Sequence, residues 1–499
     1  MADKAYLAVD LGASSGRHMA GLFDGERLRL EEFHRFENGP VTMAGKMHWD
    51  ILRLWTEIVD GMRAASKQLG SDIVSIGVDT WGVDFGLLAR DDTLLGNPLH
   101  YRNPRFADSY QQALEVVPRA DIFSHTGLQF MQINTLYQLY AMRQDNNPLL
   151  EAAESLLMIP DLLHWMLSGE KCNEMSDAST TQFYNPKTGD WAHDLLKKLD
   201  IPSDILGQIA QPGTNLGRLR PSLAEEVGLP TTDVVLPASH DTGSAVMAVP
   251  ASWPPRDNPD WCYISLGTWA LMGIEAPRPI IDENVLDLNF TNEGGVGGTS
   301  RVLKNICGMW LLQECRRIWA QQGKSWSWDE LTAMSKSAPA HKAFIYPDAP
   351  DFMAPADMPA AICDFCKKTG QPVPADESAV LRCALDSLAL RFRQVLEMCE
   401  SLSGQAMKTI HIVGGGTQNR LLCQLTADAT NRPVVAGPIE ATAIGNLMMQ
   451  AVAAGDVAGI GEAREVIRRS FDVESYQPTD TAAWDEAYDK YKTIVKPYY

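Results

Sequence analysis

Apolar positions follow two alternating rhythms along the chain. Tyr6–Leu11 is a near-continuous apolar run, as expected of a strand buried on both faces. Gly12 to Gly16 breaks it with small residues, His18–Phe23 resumes a strand pattern, and Asp24-Gly25 is a hairpin signal ahead of a third strand over Arg27–Phe36. From Asp50 to Leu69 the period changes to that of a helix, with Leu52, Trp55, Ile58, Val59 and Met62 expected on one face. Asp72 and Ile73 then open another strand through Asp79. A similar series begins again after the proline cluster Pro250, Pro254, Pro255 and Pro259. Cys262–Leu266 is an apolar strand that turns at Gly267 into a second strand over Ala270–Ile274, so Ser265-Leu266-Gly267 repeats Asp10-Leu11-Gly12. Ile410–Val413 is a further strand, emptying into Gly414-Gly415-Gly416 before a helix from about Asn419 to Ala429. Thr80–Phe85 is expected to continue the strand that contains Asp79, and the proline- and alanine-rich stretch Pro347 to Pro374 to run as irregular chain.

Length and composition narrow what such a pattern can be. A chain of 499 residues exceeds what one hydrophobic core sustains, so two domains are expected, dividing near Val249–Pro259. With 45% apolar and 21% charged residues the composition is that of a globular protein. Its 43 basic against 63 acidic residues give a formal net charge of −20. That excess repels nucleic-acid backbones and anionic lipid but leaves a nucleotide bound through local dipoles and a cation possible. The first residues, with Asp3, Asp10 and only Tyr6–Val9 as an apolar run, lack the form of a secretory leader, and no run of about 18 apolar residues marks a membrane span. Nine scattered cysteines suggest reduced thiols and a cytoplasmic setting. The one C-x-x-C pair, Cys363 and Cys366, has no second pair at ligand spacing and is taken as core or surface thiols.

Four segments carry candidate chemistry. Asp10-Leu11-Gly12-Ala13-Ser14-Ser15-Gly16-Arg17 follows a buried strand. Its small residues let backbone N–H groups approach phosphate oxygens, its hydroxyls and Arg17 add donors, and Asp10 is placed to hold hydrated Mg²⁺. Its competing reading is a hairpin turn that binds nothing, which the Gly267-Thr268 counterpart argues against. Gly414–Gly416 offers bare backbone to an adenine ring, or else simply ends a strand. Ser239-His240-Asp241-Thr242 lies between an apolar strand and a helix; Asp241 is a candidate proton acceptor for a hydroxyl nucleophile, or an N-cap. His240 is a candidate sugar contact or a structural histidine. Trp81, beside the turn at Gly82, suits a carbohydrate face or a core. Asn292–Gly295, Lys304-Asn305 and Gln313 supply further polar groups.

The order of three hairpin-linked strands, a helix and a further strand is that of a ribonuclease H-like or actin-like domain. Together with Asp10–Arg17, Ser265–Trp269, Gly414–Gly416 and Asp241, the chain resembles the FGGY carbohydrate kinases across essentially its whole length. Thr80–Phe85, Ser239–Thr242, Asn292–Gly295, Arg301–Asn305 and Trp310–Gln313 are similar to its rhamnulokinase branch. The resemblance implies an α/β fold of two ribonuclease H-like (actin-like ATPase) domains with a central cleft. Residues 1–249 would bind sugar and phosphate, and 250–499 nucleotide. It implies Asp241 as proton acceptor, with Gly82, His240, Asp241, Thr242 and Asn305 as sugar contacts. Ala13, Ser14, Ser15, Gly16, Arg17, Thr268, Gln313 and Gly415 would be ATP contacts, with Asp10 on Mg²⁺. The expected partners are a small ketose and MgATP, without nucleic acid or membrane, in a monomer or small homo-oligomer. Two alternatives stay open: a kinase for another ketose or polyol such as fuculose or xylulose, and an actin-like ATPase without sugar chemistry.

Overall fold

Hairpin turns and β-branched runs produce strands close to where the pattern places them. The structure, a computed structural model, describes residues 4–498; Asp3 lies outside the described residues. It divides into two units. One comprises the chain up to Arg256 with Glu275–Val302 and Ala441–Phe471; the other comprises Asp257–Ile274, Leu303–Glu440 and the chain from Asp472.

Among the described residues, the main sheet of the first unit is built from β1 (Lys4–Leu11), β2 (Ser15–Phe23), β3 (Leu28–Glu37), β4 (Ile73–Thr80), β5 (Asn215–Arg218) and β6 (Asp233–Val235), in the order β5-β6-β4-β1-β2-β3. β1 runs antiparallel to β2 and parallel to β4, which is parallel to β6. Tyr6–Val9 and Leu11 are wholly buried, which explains an apolar run without alternation. The parallel register sets Asp10 opposite Asp79, and Thr80 N donates to Ser239 O at 2.8 Å. The carboxyl ends of β1 and β4 and the chain leaving β6 therefore emerge side by side, the edge where open α/β sheets place ligands.

The second unit holds β7 (Trp261–Leu266), most of β8 (Trp269–Ala276) and β9 (Ser300–Cys307), whose far ends Glu275–Ala276 and Ser300–Val302 count with the first, and β10 (Thr409–Val413), β11 (Val434–Ala436) and β12 (Glu474–Tyr476), in the order β9-β8-β7-β10-β11-β12. Here β7 is antiparallel to β8 and parallel to β10, as β1 is to β2 and β4. The duplication read from the Leu-Gly turns is a duplication of topology.

Three local expectations are corrected. The helix Ile51–Leu69 buries Ile51, Leu54, Ile58, Val59, Met62 and Ala65, while Leu52 is 62% exposed and Trp55 half-buried. The buried positions Ile51, Leu54, Ile58, Met62 and Ala65 follow one another at helical spacing, a stripe that leaves Leu52 and Trp55 to its side, and Asp50 caps the helix by accepting from Arg53 N. Thr80–Phe85 is not one strand. β4 stops at Thr80, the chain turns with Val83 at φ 70°, and a separate strand Phe85–Leu88 pairs with Ser155–Met158. The cause is the buried Asp84, whose carboxylate accepts from the indoles of Trp49 and Trp81, Tyr101 N and Gln138 Nε2 and draws the turn inward. Trp81 is thus a structural tryptophan, its ring 3.9 Å from that of Trp49. Finally, Pro347 to Pro374 contains the helix Met358–Lys368, started by a proline in its first turn and capped by Asp357, which accepts from Ala360 N at 2.9 Å.

Cys363 and Cys366 sit on that last helix, and among the described residues no cysteine is joined in a disulfide. No helix among the described residues is long and apolar enough to cross a membrane.

Candidate active site

Carboxylates gather at the strand ends of the first unit. Asp10, at the end of β1, is almost fully buried and takes Arg17 Nε (3.0 Å) and Nη2 (2.8 Å) on one oxygen. The guanidinium fork expected to meet phosphate thus also neutralises Asp10. Asp79, at the end of β4, has no exposed surface; Oδ2 accepts from Asn446 Nδ2 at 2.6 Å, while Oδ1 meets no donor among the described residues. Burial pushes the Asp79 carboxyl well above the usual range, and Asp10 adds to that while Asn446 opposes it. Between β1 and β2 the turn is pinned by Gly12 N to Ser15 O (2.9 Å) and Asn38 Nδ2 to Gly12 O (2.8 Å). Ser14 and Ser15 stand exposed and Ala13 half-buried. Gly16 has no alternative, since a Cβ there would lie 2.3 Å from the Phe36 ring.

Asp241 opens the helix Asp241–Met247, so it is the first helical residue, and His240 occupies the N-cap position. Its side chain is one-third exposed. Thr242 Oγ1 donates to Asp241 Oδ1 at 3.1 Å, and His240 Nε2 stands 3.5 Å from the same oxygen. Burial raises the Asp241 carboxyl; His240 opposes this, Asp10 reinforces it, and the Thr242 hydroxyl opposes it. Behind His240, Nδ1 is 3.2 Å from Glu293 Oε2 and 3.2 Å from Arg301 Nη2. Burial works against the Glu293 charge, but Arg301, with His240, holds that carboxyl below its ordinary value. Arg301 is itself fully buried and donates through Nε to Gly294 O at 2.8 Å. Gly82 lies against Thr180 and Asp177, where an added Cβ would stand 2.9 Å from Thr180 Cγ2 and 3.2 Å from Asp177 Oδ1.

In the second unit the residues collect around the β7–β8 turn. Thr268 O accepts from Gly308 N (3.2 Å) and Trp310 N (3.1 Å), and Gly267 O from Met309 N (3.0 Å). Met309 O in turn accepts from Gln313 N at 2.9 Å in the first turn of the helix Trp310–Gln321. Gly414 takes φ 91°, and a Cβ on Gly416 would strike Leu266 at 2.3 Å, so this glycine turn wraps the end of β7. Gly415 is exposed, with no atom within 4 Å of an added Cβ.

The first unit therefore brings together Asp10, Ala13–Arg17, Gly82 and His240–Thr242, and the second Thr268, Gln313 and Gly415. Asn305, grouped with the sugar contacts by resemblance, belongs to β9 in the second unit. Sequence reasoning gave Asp79 no chemical role and met Glu293 and Arg301 only as members of the runs Asn292–Gly295 and Arg301–Asn305. An acidic residue ending an apolar parallel strand was the available signal for Asp79; nothing in the local sequence marks the pairing of Glu293 and Arg301 with His240.

The hairpin-and-parallel-strand topology occurs in both units, with carboxylates at the strand ends of the first, and family comparison supplies the class. Residues 5–248 match the N-terminal domain and residues 262–454 the C-terminal domain of the FGGY family of carbohydrate kinases. The chain belongs to that family and is a carbohydrate kinase. A rhamnulokinase of Bacteroides thetaiotaomicron is 43% identical over 98% of this chain and 99% of its own. One from Pectobacterium atrosepticum is 38% identical over 100% of this chain and 98% of its own. Among solved structures, a xylulose kinase from Lactobacillus acidophilus superposes with a TM-score of 0.80 at 16% identity, covering 99% of this chain and 98% of that one. A Plasmodium falciparum glycerol kinase with ADP gives 0.74 at 15% identity, covering 99% and 97%. At such identities these two share the fold.

Proposed function

We propose that the chain transfers the γ-phosphoryl group of ATP to the carbon-1 hydroxyl of L-rhamnulose, with Asp241 accepting the hydroxyl proton. The observation that carries this reading is the Asp241 carboxylate itself: partly exposed at the head of its helix, flanked by His240 and Thr242, and raised in pKa. A carboxylate whose pKa stands above the ordinary value is the stronger base for an alcohol proton. Near-full-length likeness to rhamnulokinases supports the choice of sugar. Gly82, His240, Thr242 and Asn305 orient the ketose; His240, held from behind by Glu293 and Arg301, donates through Nε2 to the sugar or to Asp241. Ala13–Arg17 of the first unit hold phosphate, and Thr268, Gln313 and Gly415 of the second hold ATP. Little covalent chemistry remains for the protein beyond placing acceptor and phosphoryl in line.

Mg²⁺ fits the donor set. A nucleotide-borne Mg²⁺ keeps most of its waters and needs one or two carboxylates, and Asp10 and the unpartnered Oδ1 of Asp79 are adjacent. No group of three or more ligating side chains among the described residues forms a closed cage. The cation would neutralise charge on the β- and γ-phosphates, with Asp10 holding it through water. The setting is cytoplasmic, the partners are small molecules, and the enzyme is a monomer or small homo-oligomer.

Asp241→Asn tests the assignment. Turnover is expected to fall by about 10²- to 10⁴-fold, the usual contribution of a positioned base, with ATP affinity little changed by calorimetry. Near-normal turnover in this variant would refute the role.

A further inference from the structure

Glu174 has no exposed surface and leads into the short helix Met175–Ala178. Its Oε1 accepts from Ser176 N at 2.9 Å, as a capping side chain does. Capping requires nothing more, yet Oε2 takes three further donors. One is Ser176 Oγ; the others are Ser239 N at 2.9 Å and Ser239 Oγ at 2.7 Å, 65 residues along the chain. Ser176 Oγ also accepts from His240 N at 3.1 Å, so its own proton is directed to Glu174. One carboxylate thus binds the peptide N–H of Ser239 directly and that of His240 through a serine hydroxyl. The first turn of the next helix rests on the same serine, since an added Cβ on Gly243 would lie 3.3 Å from Ser176 Oγ.

We propose that Glu174 is a positioning residue, whose carboxylate holds the Ser239–His240 backbone and thereby sets where the Asp241 side chain stands. The inference rests on the reading of Asp241 as proton acceptor. Glutamine is the same size but presents an NH₂ group. Directed at donors only, it leaves buried groups unpaired and lets the turn shift. A shift of about 1 Å in a reacting group is worth up to about 10²-fold in rate.

The test is a double-mutant cycle between Glu174→Gln and Asp241→Asn, reading kcat and KM for L-rhamnulose, KM for ATP, and ATP hydrolysis without sugar. Alone, Glu174→Gln is expected to lower sugar-dependent kcat by about 10- to 100-fold, with ATP KM and sugar-free hydrolysis essentially unchanged. In the Asp241→Asn background the same change should cost almost nothing, because the group it misplaces is already gone. An equal loss in both backgrounds, or a parallel loss of sugar-free hydrolysis, overturns the proposal in favour of a general structural role. Should Asp241→Asn alone retain turnover, the acceptor assignment fails, and that result is separately visible. If Glu174→Gln does not fold, Ser239→Ala removes one of the same hydrogen bonds. It should lower kcat with the same non-additivity, and additive behaviour there also overturns the proposal.

Discussion

The imidazole of His164 is fully buried, and its Nε2 accepts from Val78 N at 3.0 Å, one residue before Asp79. Burial pushes its pKa down to about 3, and the buried ring of His18 is likewise lowered to about 3. Each group is neutral in the folded protein but protonates near 6.5 in the unfolded chain. Each therefore favours unfolding increasingly as pH drops from 6.5 towards 3, by about 1.4 kcal/mol per pH unit per group. Side-chain NMR of the isotopically labelled histidines should show the His164 ring unchanged from pH 8 to 5; a midpoint near 6.5 would contradict its burial. At this scale the sequence was informative wherever a residue belongs to a compact motif. Asp10, Arg17 and Asp241 could be picked out because glycines, hydroxyls and a strand-to-helix junction surround them. Glu174 could not, since its partners are Ser176 and the distant Ser239.

At the level of elements, the helix bearing Asp241 is placed by how closely it meets Ala441–Ala453. A Cβ on Gly445 would lie 1.8 Å from the backbone oxygen of Ser244. Backbone at that distance cannot yield as a flexible side chain would, so the two helices must separate to admit a methyl group. Gly445→Ala is expected to destabilise the protein by about 1–3 kcal/mol or more and to lower turnover, because the Asp241 helix moves with its contact surface. A melting temperature equal to that of the parent, by calorimetry, would show the approach to be looser than this. The first strands, their hairpins and the helix between them were legible from periodicity and turn residues. One misread element has a buried polar group as its cause: Asp84 overrides the local pattern by ending β4 at the Trp81 turn.

On the scale of the molecule, topology was legible and chain continuity was not. Repeated Leu-Gly turns revealed the duplication, but nothing in the residues of Glu275–Val302 or Ala441–Phe471 announces that they join the first unit. What holds those segments is buried and long-range. Arg464, without exposed surface, donates to Val246 O (3.1 Å), Met247 O (3.3 Å) and Glu275 Oε1 (3.0 Å), tying three separate stretches of the first unit together. Arg464→Met leaves the Glu275 charge buried and unpaired and should cost about 3–5 kcal/mol in denaturant unfolding. Adding Glu275→Leu should recover much of that loss, and strict additivity would contradict the pairing. The account as a whole rests on a phosphoryl group passing from ATP to one ketose. The most direct measurement is ADP release coupled to a reporter, comparing L-rhamnulose with fuculose, xylulose and no sugar at equal concentrations. A specificity constant highest for L-rhamnulose, with product phosphorylated at carbon 1, is the predicted result; ADP release indifferent to every sugar would contradict it.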